Sequence, residues 1–577
     1  MQHSDQSPNS EDVVFDSPTD FKTTSELTPV GNIGSQVSKG VNSDQFGNEK
    51  QLVNEQEAGR VAAPANKYDV FAWIKYIWHT YKLQCCLAIW LLITAYFIAS
   101  MALKEKTQLS DILPFILLYV FISFKILFAF VDTALITKPV GKFYDSAVTQ
   151  RLARIPVKFQ YMFGGVVLLA LVLGVSLGLP NSENGNRGSR MQSLLGIAII
   201  TLLLVATSRN PREIQWRTVI VGYLMQFCLG CIVVKTNWGN DLFQWIASRA
   251  ADLLYFSHYG TVFLLGDDIA NLGVFTISVF PAVVFFAAFV QMVYYLGGMQ
   301  WLLKHLGWFF QQTLDTSGAE SIVAAASPFI GQSENVLLVK DYLEHMTNSE
   351  IHACMTAGFS TISGSGLQGY IALGVNARNI ITACIMSIPC SLALSKIRYP
   401  ETEESLTRNG AAVGINLSLL IAANLIAIIS LVNLVNFFLT WFGQFITIHA
   451  LTLELILSYL LYPYAWLLGV PKVDILKVSQ LLGLKFVANE FVAYMTLNTK
   501  DATTGMTLAE TLTTRGHAIA EFSLCGFGNL GSIAMQIGSL GSLAPSRKAD
   551  FSRLALSACI TGSIATTLTA AIISMVM

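Results

Sequence analysis

The chain has 577 residues, of which 53% are hydrophobic and only 13% are charged, and its formal net charge is −1. Because an average soluble protein is about a quarter charged, this composition excludes an ordinary soluble domain and predicts a membrane protein. The near-neutral balance provides no basic surface for nucleic acid, so no nucleic-acid partner is expected.

Residues 1–66 differ in composition from the rest of the chain. Ser, Asn, Gln, Asp and Glu dominate them, and their apolar residues follow no regular period. Such a segment cannot bury enough apolar surface to offset the entropy lost on ordering, so it predicts a disordered tail. The first apolar run begins only near Leu83, so the segment is not a signal peptide.

Apolar runs long enough to cross about 30 Å of hydrocarbon follow the tail. They lie at 83–103, 112–136, 159–179, 192–207, 217–235 and 272–296. Lys and Arg cluster before the first run, after the second and after the fourth. Basic loops stay on the cytoplasmic side, which predicts a cytoplasmic N-terminus. Residues 237–258, with aromatic residues and mixed charge, predict an interfacial helix.

The hydrophobic segment from Glu320 to Lys340 contains a cluster that an ordinary spanning helix does not tolerate. This cluster is Pro328-Phe329-Ile330-Gly331-Gln332-Ser333-Glu334-Asn335. Non-helical backbone at bilayer depth survives only where it is buried in protein or lines a wet cavity, and secondary transporters use broken helices to bind substrates. The cluster therefore predicts a break in the helix and a transport function.

The second half of the chain contains an internal repeat. One copy runs from Gly331-Gln332-Ser333-Glu334 into Gly358-Phe359-Ser360-Thr361-Ile362-Ser363-Gly364-Ser365. The other runs from Asn489-Glu490-Phe491 into Gly526-Phe527-Gly528-Asn529-Leu530-Gly531-Ser532. Each copy supplies one helix interrupted beside a carboxylate and one interrupted by small and polar residues. Duplicated broken helices predict a binding site near the midplane, between the repeats.

Four strings in this region resemble the concentrative nucleoside transporter family, in the order that the family uses. They are Gly331-Gln332-Ser333-Glu334, Pro400-Glu401-Thr402-Glu403, Asn489-Glu490-Phe491-Val492-Ala493-Tyr494 and Cys525-Gly526-Phe527-Gly528-Asn529. The resemblance spans about residues 195–577. It implies an all-α polytopic protein of the plasma membrane, assembled as a homotrimer. Each protomer would hold a scaffold domain and a mobile transport domain, with two re-entrant helical hairpins, unwound helices and inverted repeats.

This organisation divides the chain into four predicted parts. Residues 1–66 form the cytoplasmic tail, 67–190 the N-terminal transmembrane helices, and 191–317 the scaffold transmembrane helices with the interfacial helix. Residues 318–577 form the transport-domain repeats with the nucleoside site, and they include a scaffold helix near 411–440. Alternating access is then expected to be an elevator-like movement of the transport domain.

The resemblance also implies the residues that bind a nucleoside. Glu490 and Asn529 would hold the ribose hydroxyls, Gln332 would read the base edge with Glu334, and Phe527 would offer an apolar face. A carboxylate at bilayer depth costs at least about 2.5 kcal/mol, so Glu334 and Glu490 are functional by default. Phe527 or Ser532 alone would be a packing residue, since membrane helices use small and aromatic residues freely. The predicted substrate residues are Gly331, Gln332, Ser333, Glu334, Gly366, Glu490, Phe527, Asn529 and Ser532.

The coupling ion is predicted from a departure from the family pattern. The family's sodium ligands correspond to the side chains of Ser327, Ser333 and Thr361 and the carbonyls of Ile330 and Ile362. Sodium-coupled members usually have Asn-Ile-Phe-Val before Gly-Gln, whereas this chain has Ser327-Pro328-Phe329-Ile330. A hydroxyl thereby replaces an amide oxygen, which is a good hard ligand, and sodium should bind less well.

Proton coupling is therefore favoured over sodium, since it needs only a titratable buried carboxylate. Glu334, Glu490 and Glu521 are the candidates. His517 and Glu521 are four residues apart on one helix, where they form either a pH-sensitive pair or a plain helix-stabilising pair. No cofactor is expected beyond the coupling cation, which is H+ or Na+.

Base preference is predicted from Gly366, where many relatives have a valine. The missing side chain enlarges the base pocket, which favours purines, and Gly366→Val should shift preference towards pyrimidines. Two alternatives stay open: a sodium-coupled broad nucleoside symporter, and a membrane channel or receptor. A membrane-embedded hydrolase has no support from a nucleophile elbow or a triad order, so the protein is not expected to be an enzyme.

Overall fold

The computed structural model of the chain describes residues 82–103, 116, 119–120, 122–123, 156–181, 185–270, 275–295, 298–403, 434–440, 451–500 and 505–577. The predicted tail at 1–66, most of the predicted span at 112–136 and most of the predicted helix near 411–440 lie outside the described residues. The chain divides into two compact units, Met1–Ala147 and Val148–Met577, which are treated separately below.

The described part of the first unit is built on helix α1, Lys82–Leu103, which confirms a helix over the predicted run at 83–103. Trp90 Nε1 donates a hydrogen bond of 3.0 Å to Ser123 Oγ. The rings of Phe97 and Tyr119 stack with their centroids 4.3 Å apart. Helix α1 therefore packs against the segment around 119–123.

The described part of the second unit is a set of helices joined by short turns. In chain order they are α2 Val157–Gly178, α3 Arg187–Ala206, α4 Trp216–Lys235, α5 Asn237–Leu265, α6 Phe275–Tyr295, α7 Gly298–Leu314, α8 Gly318–Ala326, α9 Gln332–Asn335, α10 Asn348–Phe359, α11 Leu367–Ala372, α12 Ala377–Arg398, α13 Leu453–Leu460, α14 Tyr462–Leu467, α15 Ile475–Val487, α16 Glu490–Asn498, α17 Thr514–Leu524, α18 Leu530–Leu543 and α19 Lys548–Val576. A single helical turn at Asp267–Ala270 follows α5, and 3₁₀ turns at Val336–Tyr342 and Gly364–Gly366 follow α9 and precede α11.

Among the described residues, five helical segments are long and apolar enough to cross a membrane. They are Phe159–Gly178, Arg187–Ala206, Trp216–Lys235, Ala377–Arg398 and Pro545–Val576. The first three coincide with the predicted runs at 159–179, 192–207 and 217–235, and α6 covers most of the run at 272–296. Helix α5 continues to Leu265, beyond the predicted end of the interfacial helix at 258.

The predicted helix breaks are confirmed in both copies of the repeat. In the first copy, α8 ends at Ala326 and α9 begins at Gln332, and α10 ends at Phe359 before α11 begins at Leu367. In the second copy, the breaks separate α15 from α16 and α17 from α18. A long helix follows each pair of broken helices, α12 in the first copy and α19 in the second.

Local sequence explains where the interrupted helices restart. Asn489 and Asn529 are N-cap residues, and their side-chain oxygens accept hydrogen bonds from the backbone N–H groups of Val492 and Ser532. An Asn at this position satisfies one of the free donors at a helix start. Gly526 has a φ of 115°, in the region that favours glycine, at the break before Asn529. These local residues therefore explain where the helices break and restart.

The two long helices form the centre of the second unit. Helix α12 packs against α4, and α19 packs against α10 and α17. A Cβ atom on Gly222 of α4 would lie 2.7 Å from Ala393 Cβ and from the Pro389 carbonyl oxygen of α12. A Cβ atom on Gly562 of α19 would lie 2.7 Å from Phe359 Cβ. Glycine at these positions allows the close helix contacts that are common in membrane proteins.

A buried ion pair fixes α12 to the start of the first copy. Lys396 and Glu320, whose side chains are 2% and 1% exposed, form a salt bridge. Lys396 Nζ also donates to Ser349 Oγ at 2.9 Å and lies 3.5 Å from Glu401 Oε2. Glu401 in turn accepts a hydrogen bond of 2.8 Å from the hydroxyl of Thr347, the N-cap of α10. The starts of α8 and α10 and the end of α12 are thereby held together.

Replacing Lys396 should strongly destabilise the fold. Lys396→Met leaves the Glu320 carboxylate buried without its counter-ion, and losing one partner of a buried pair costs about 3 to 5 kcal/mol. We expect a clear fall in the thermal unfolding midpoint of the detergent-purified protein. The matched control is Arg249→Met, since Arg249 and Asp252 form an ion pair with side chains 56% and 57% exposed. Such exposed pairs contribute about 0 to 1 kcal/mol. Equal unfolding midpoints for the two variants would contradict the structural role of Lys396.

Candidate functional site

The breaks of the two copies meet in space. The backbone N–H of Phe527, in the break after α17, donates a hydrogen bond of 3.2 Å to the carbonyl of Thr361, in the break after α10. Helix α9 packs against α18, so the carboxylate segment of the first copy lies beside the restarted helix of the second. The four interrupted helices thus bring their polar residues to one region, as the repeat predicts.

Glu490 lies at this meeting point with two side-chain hydrogen bonds. It is 2% exposed and opens α16. Tyr370 Oη donates to its Oε1 at 3.1 Å, and Asn529 Nδ2 donates to its Oε2 at 2.9 Å. Tyr370 belongs to the first copy and Asn529 to the second. A buried carboxylate held in this way is oriented, and its remaining lone pairs are available to hydroxyl donors on a ligand.

An aromatic pair supports the carboxylate on one side. The rings of Tyr370 and Phe491 are stacked, with centroids 4.3 Å apart and planes 9° apart. Gly366 lies against this pair, because a Cβ atom there would be 3.3 Å from Tyr370 Cε2 and 3.6 Å from Phe491 Cζ. Gly366 is therefore in contact with the ring that holds Glu490.

Several buried polar atoms nearby have no hydrogen-bond partner among the described residues. They are Gln332 Oε1 and Nε2 on α9, Ser532 Oγ, Gln536 Oε1 and Nε2 on α18, and Asn489 Nδ2. Ser532 and Gln536 are four residues apart, so they lie on the same face of α18. Unpaired buried polar groups are rare in native proteins and need an explanation. Hydrogen bonds to a polar ligand between α9 and α18 provide one.

The remaining predicted substrate residues lie in the same segments. Gly331 precedes α9, and its carbonyl accepts a hydrogen bond of 2.9 Å from the N–H of Asn335. The backbones of Ser333 and Glu334 belong to α9, and their side chains lie outside the described structure. Phe527 is partly buried against the main core.

Two of the predicted ion-site residues, Ser327 and Thr361, form a second cluster with Asn335 at the break of α8. Thr361 Oγ1 donates to the Ser327 carbonyl at 3.1 Å, and Asn335 Nδ2 donates to Ser327 Oγ at 3.0 Å. Ile330 and Ile362, the two predicted carbonyl ligands, are each 2% exposed. The cluster thus contains hydroxyl oxygens from both broken helices of the first copy, and oxygen ligands of this kind suit a hard cation.

Glu521, the third candidate for proton coupling, has different partners. Asn379 Nδ2 of α12 donates to Glu521 Oε2 at 2.6 Å. His517 Nδ1 lies 4.0 Å from the same oxygen, so the predicted pair is present but long. Tyr494 Oη donates to the Glu521 carbonyl at 2.7 Å. These contacts fit a residue that fixes α17 to its neighbours.

Three residues of these clusters were not predicted from the sequence. Tyr370 lies four residues after Gly366, and Gln536 lies four residues after Ser532, so helical spacing from known candidates was the available signal. Asn335 directly follows Glu334 in the cluster that predicted the helix break. Its carboxamide is fully buried, which the sequence alone does not indicate.

Broken helices in two copies, enclosing a buried carboxylate within a set of apolar spans, define a polytopic membrane transporter. Models of the Na+ dependent nucleoside transporter match residues 195–268 with its N-terminus and 379–574 with its C-terminus, and a nucleoside recognition model matches 276–377. The chain belongs to the concentrative nucleoside transporter family. This confirms the predicted family and all-α polytopic fold, and also the prediction that the chain is not an enzyme.

The sequences of known proteins that are similar to this chain indicate the same family. Sodium/nucleoside cotransporter 1 of Oryctolagus cuniculus is 37% identical over 429 residues, covering 70% of this chain and 64% of the relative. Solute carrier family 28 member 3 of Eptatretus stoutii is 38% identical over 436 residues, covering 71% of this chain and 63% of the relative. The chain therefore spans slightly less than two thirds of the length of these two relatives.

Solved structures match over almost their full length. A structure of CNTnw in an inward-facing substrate-bound state is 33% identical, with a TM-score of 0.62, and the match covers 67% of this chain and 98% of that one. A CNTnw variant in an outward-facing state matches with a TM-score of 0.62 and 33% identity, over 68% of this chain and 99% of that one.

Tyr370→Phe should weaken ligand binding without unfolding the protein. The substitution removes the hydroxyl that orients Glu490 Oε1 and keeps the ring that stacks on Phe491. A lost hydrogen bond to a charged group costs about 1.5 to 3 kcal/mol, so the affinity for labelled nucleoside should fall about tenfold or more. Tyr464→Phe is the control, because that hydroxyl bonds Thr567 instead. Equal affinities for wild type and Tyr370→Phe would show that this hydroxyl does not position the carboxylate.

Gly366→Val should reduce transport of pyrimidine and purine nucleosides alike. The new Cβ meets the Tyr370 ring at 3.3 Å, and its two methyl groups must displace the ring that holds Glu490. Uridine and adenosine affinities measured on the same preparation test this expectation. Loss of adenosine transport with uridine transport intact would instead support the prediction that position 366 sets the volume of the base pocket.

Proposed function

We propose that this protein is an ion-coupled nucleoside importer, with Glu490 as the centre of the substrate site. The observation that carries the proposal is the placement of Glu490 between Tyr370 and Asn529, one from each copy of the repeat. A site shared by two copies is the arrangement that alternating access requires. The names of the relatives, which include sodium/nucleoside cotransporters, support the substrate class.

The proposed roles follow from the chemistry of a neutral nucleoside. Glu490 accepts hydrogen bonds from the ribose hydroxyls, and Asn529 and Ser532 add an amide and a hydroxyl. Gln332 offers a donor and an acceptor to the base edge, and the Glu334 carboxylate offers acceptors. Ser333 and the backbone of Gly331 in the same segment also contact the ligand. Phe527 packs on the apolar face of the ligand, and Gly366 keeps the Tyr370 ring in place.

Sodium is the coupling ion in this proposal. Proton coupling was expected because Ser327 has a hydroxyl where sodium-coupled members usually have an amide. The comparisons do not support proton coupling. The cotransporters similar to this chain are named for sodium, which favours the sodium-coupled alternative. The hydroxyl oxygens of Ser327 and Thr361, with the carbonyls of Ile330 and Ile362, are suitable ligands. The comparisons give no support for a purine preference, and a broad nucleoside range is proposed.

The assembly and topology in this proposal follow the family resemblance. The protein is a multi-pass homotrimer of the plasma membrane with its N-terminus in the cytoplasm. Residues 191–317 belong to the scaffold, and the repeats within 318–577 form the transport domain that moves as an elevator. Helix α8, Gly318–Ala326, opens the first copy of the repeat, and its start supports the proposed boundary between the scaffold part at 191–317 and the repeats at 318–577.

Reconstituted vesicles provide the test. An inward sodium gradient should drive labelled uridine and adenosine above equilibrium, and a pH gradient without sodium should not. Glu490→Gln removes an acceptor for ribose in a nearly isosteric way, so uptake should fall about tenfold to a hundredfold while the yield of folded protein stays normal. Glu213→Gln, an exposed carboxylate in a 3₁₀ turn, serves as the matched control.

Three results would each contradict part of this proposal. Equilibration without accumulation would indicate a channel, and binding without uptake would indicate a receptor. Accumulation driven by a pH gradient alone would exclude sodium as the coupling ion. Wild-type uptake by Glu490→Gln would remove the carboxylate from the substrate site.

A further inference from the structure

Asn335 is a fully buried amide at the end of α9, the short helix that follows the break after α8. Its side chain has an exposed fraction of 0%, and its Nδ2 donates to Ser327 Oγ at 3.0 Å. Its Oδ1 has no hydrogen-bond partner among the described residues. Asn335 precedes the 3₁₀ turn Val336–Tyr342 and does not cap it through its side chain. A structural capping role therefore does not explain this residue.

The orientation of the amide follows from the single proton on the Ser327 hydroxyl. Ser327 Oγ donates that proton to the Val323 carbonyl at 2.8 Å. Ser327 can then only accept from Asn335, so the amide nitrogen faces Ser327 and Oδ1 is left free. A buried carbonyl oxygen without a donor is destabilising. Thr361 Oγ1 adjoins the same cluster through its bond of 3.1 Å to the Ser327 carbonyl.

The second copy of the repeat contains a buried cation in the last turn of its first broken helix. Lys485 of α15 is 3% exposed. Its ammonium group donates to the carbonyls of Ser523 and Cys525, at the end of α17, at 2.9 and 3.3 Å, and to Thr566 Oγ1 at 3.1 Å. In the first copy, α8 corresponds to α15, and Ser327 follows α8 directly. No hydrogen bond from a Lys or Arg reaches Ser327, Asn335 or Thr361 among the contacts of the described residues.

We propose that Asn335 Oδ1 is a ligand of the coupling sodium ion and supplies the amide oxygen that Ser327 lacks. Sodium then fills in the first copy the place that the Lys485 ammonium group fills in the second. This inference rests on the proposed sodium-coupled function and adds to it a residue outside the predicted ligand set. It also places an amide beside Ser327, because Asn335, which lies eight residues later and across the helix break, bonds the Ser327 hydroxyl.

Sodium binding can be measured without transport. The thermal unfolding midpoint of the detergent-purified full-length chain is recorded against sodium chloride concentration, with choline chloride keeping ionic strength constant. A bound ion raises the midpoint by mass action. Wild type should respond to sodium, and Asn335→Ala should need at least about tenfold more sodium for the same shift, in the range found when supporting ligands of metal sites are removed. Asn498→Ala, which removes another amide with an unpaired buried nitrogen, should respond like wild type.

A second-site exchange separates ligand loss from misfolding. The double variant Ser327→Asn with Asn335→Ala again has one amide in the cluster, now at position 327. It should recover most of the sodium response. Asn335→Asp keeps an oxygen at position 335 and should also retain it. Sodium-dependent nucleoside uptake of the same variants should follow the same order.

The outcomes distinguish this inference from the function on which it rests. If wild type shows neither sodium stabilisation nor sodium-driven uptake, the sodium coupling and the role of Asn335 fail together. If wild type responds and Asn335→Ala responds equally, only the role of Asn335 fails. A response of Asn335→Ala at lower sodium also contradicts that role and would show that the amide nitrogen competes with the ion. If the double variant does not recover the sodium response and Asn335→Asp shows no response either, the side-chain oxygen at position 335 is not a sodium ligand.

Discussion

The structure depends on satisfying backbone hydrogen bonds where helices break inside an apolar core. Each interruption frees N–H and C=O groups that lipid does not solvate. Asn489 and Asn529 bond the first N–H groups of the restarted helices, and the Phe527 N–H bonds the Thr361 carbonyl across the two copies. The groups that stabilise the breaks are therefore the same groups that would position the ligand in the proposed site. Asn529 illustrates this, since its oxygen caps α18 while its nitrogen holds Glu490.

The two copies solve this problem with different chemistry. In the second copy, the Lys485 ammonium group bonds the carbonyls at the end of α17 and is covalently part of the fold. In the first copy, the region after α8 has hydroxyls, an amide and carbonyls, and among the described residues no Lys or Arg donates to Ser327, Asn335 or Thr361. Under the proposed sodium coupling, an exchangeable ion would stabilise this break, whereas the Lys485 ammonium group is always present at the other.

The sequence predicted the helix breaks and the buried carboxylate of Glu490 because those depend on local composition. Pro328 and the glycines interrupt apolar runs, and Glu490 is conspicuous at bilayer depth. The partner of Glu490 was not predictable in the same way, since Tyr370 lies 120 residues away and meets it only through tertiary packing. Gly366 was interpreted as open volume, but its neighbours are the Tyr370 and Phe491 rings. Spacing along the chain does not reveal which side chains lie next to a glycine in the folded protein.

Thr361 gives a physical route by which ion and substrate binding affect each other. Its hydroxyl bonds the Ser327 carbonyl in the ion cluster, and its own carbonyl accepts the N–H of Phe527 in the substrate cluster. An ion that fixes the backbone at Thr361 also fixes the break that leads to Asn529, and so to Glu490. Such coupling is reciprocal, since a nucleoside that orders Phe527 and Asn529 must raise the affinity for the ion by the same factor. A single residue in a broken helix is sufficient for this linkage because both clusters bond its backbone or its hydroxyl directly.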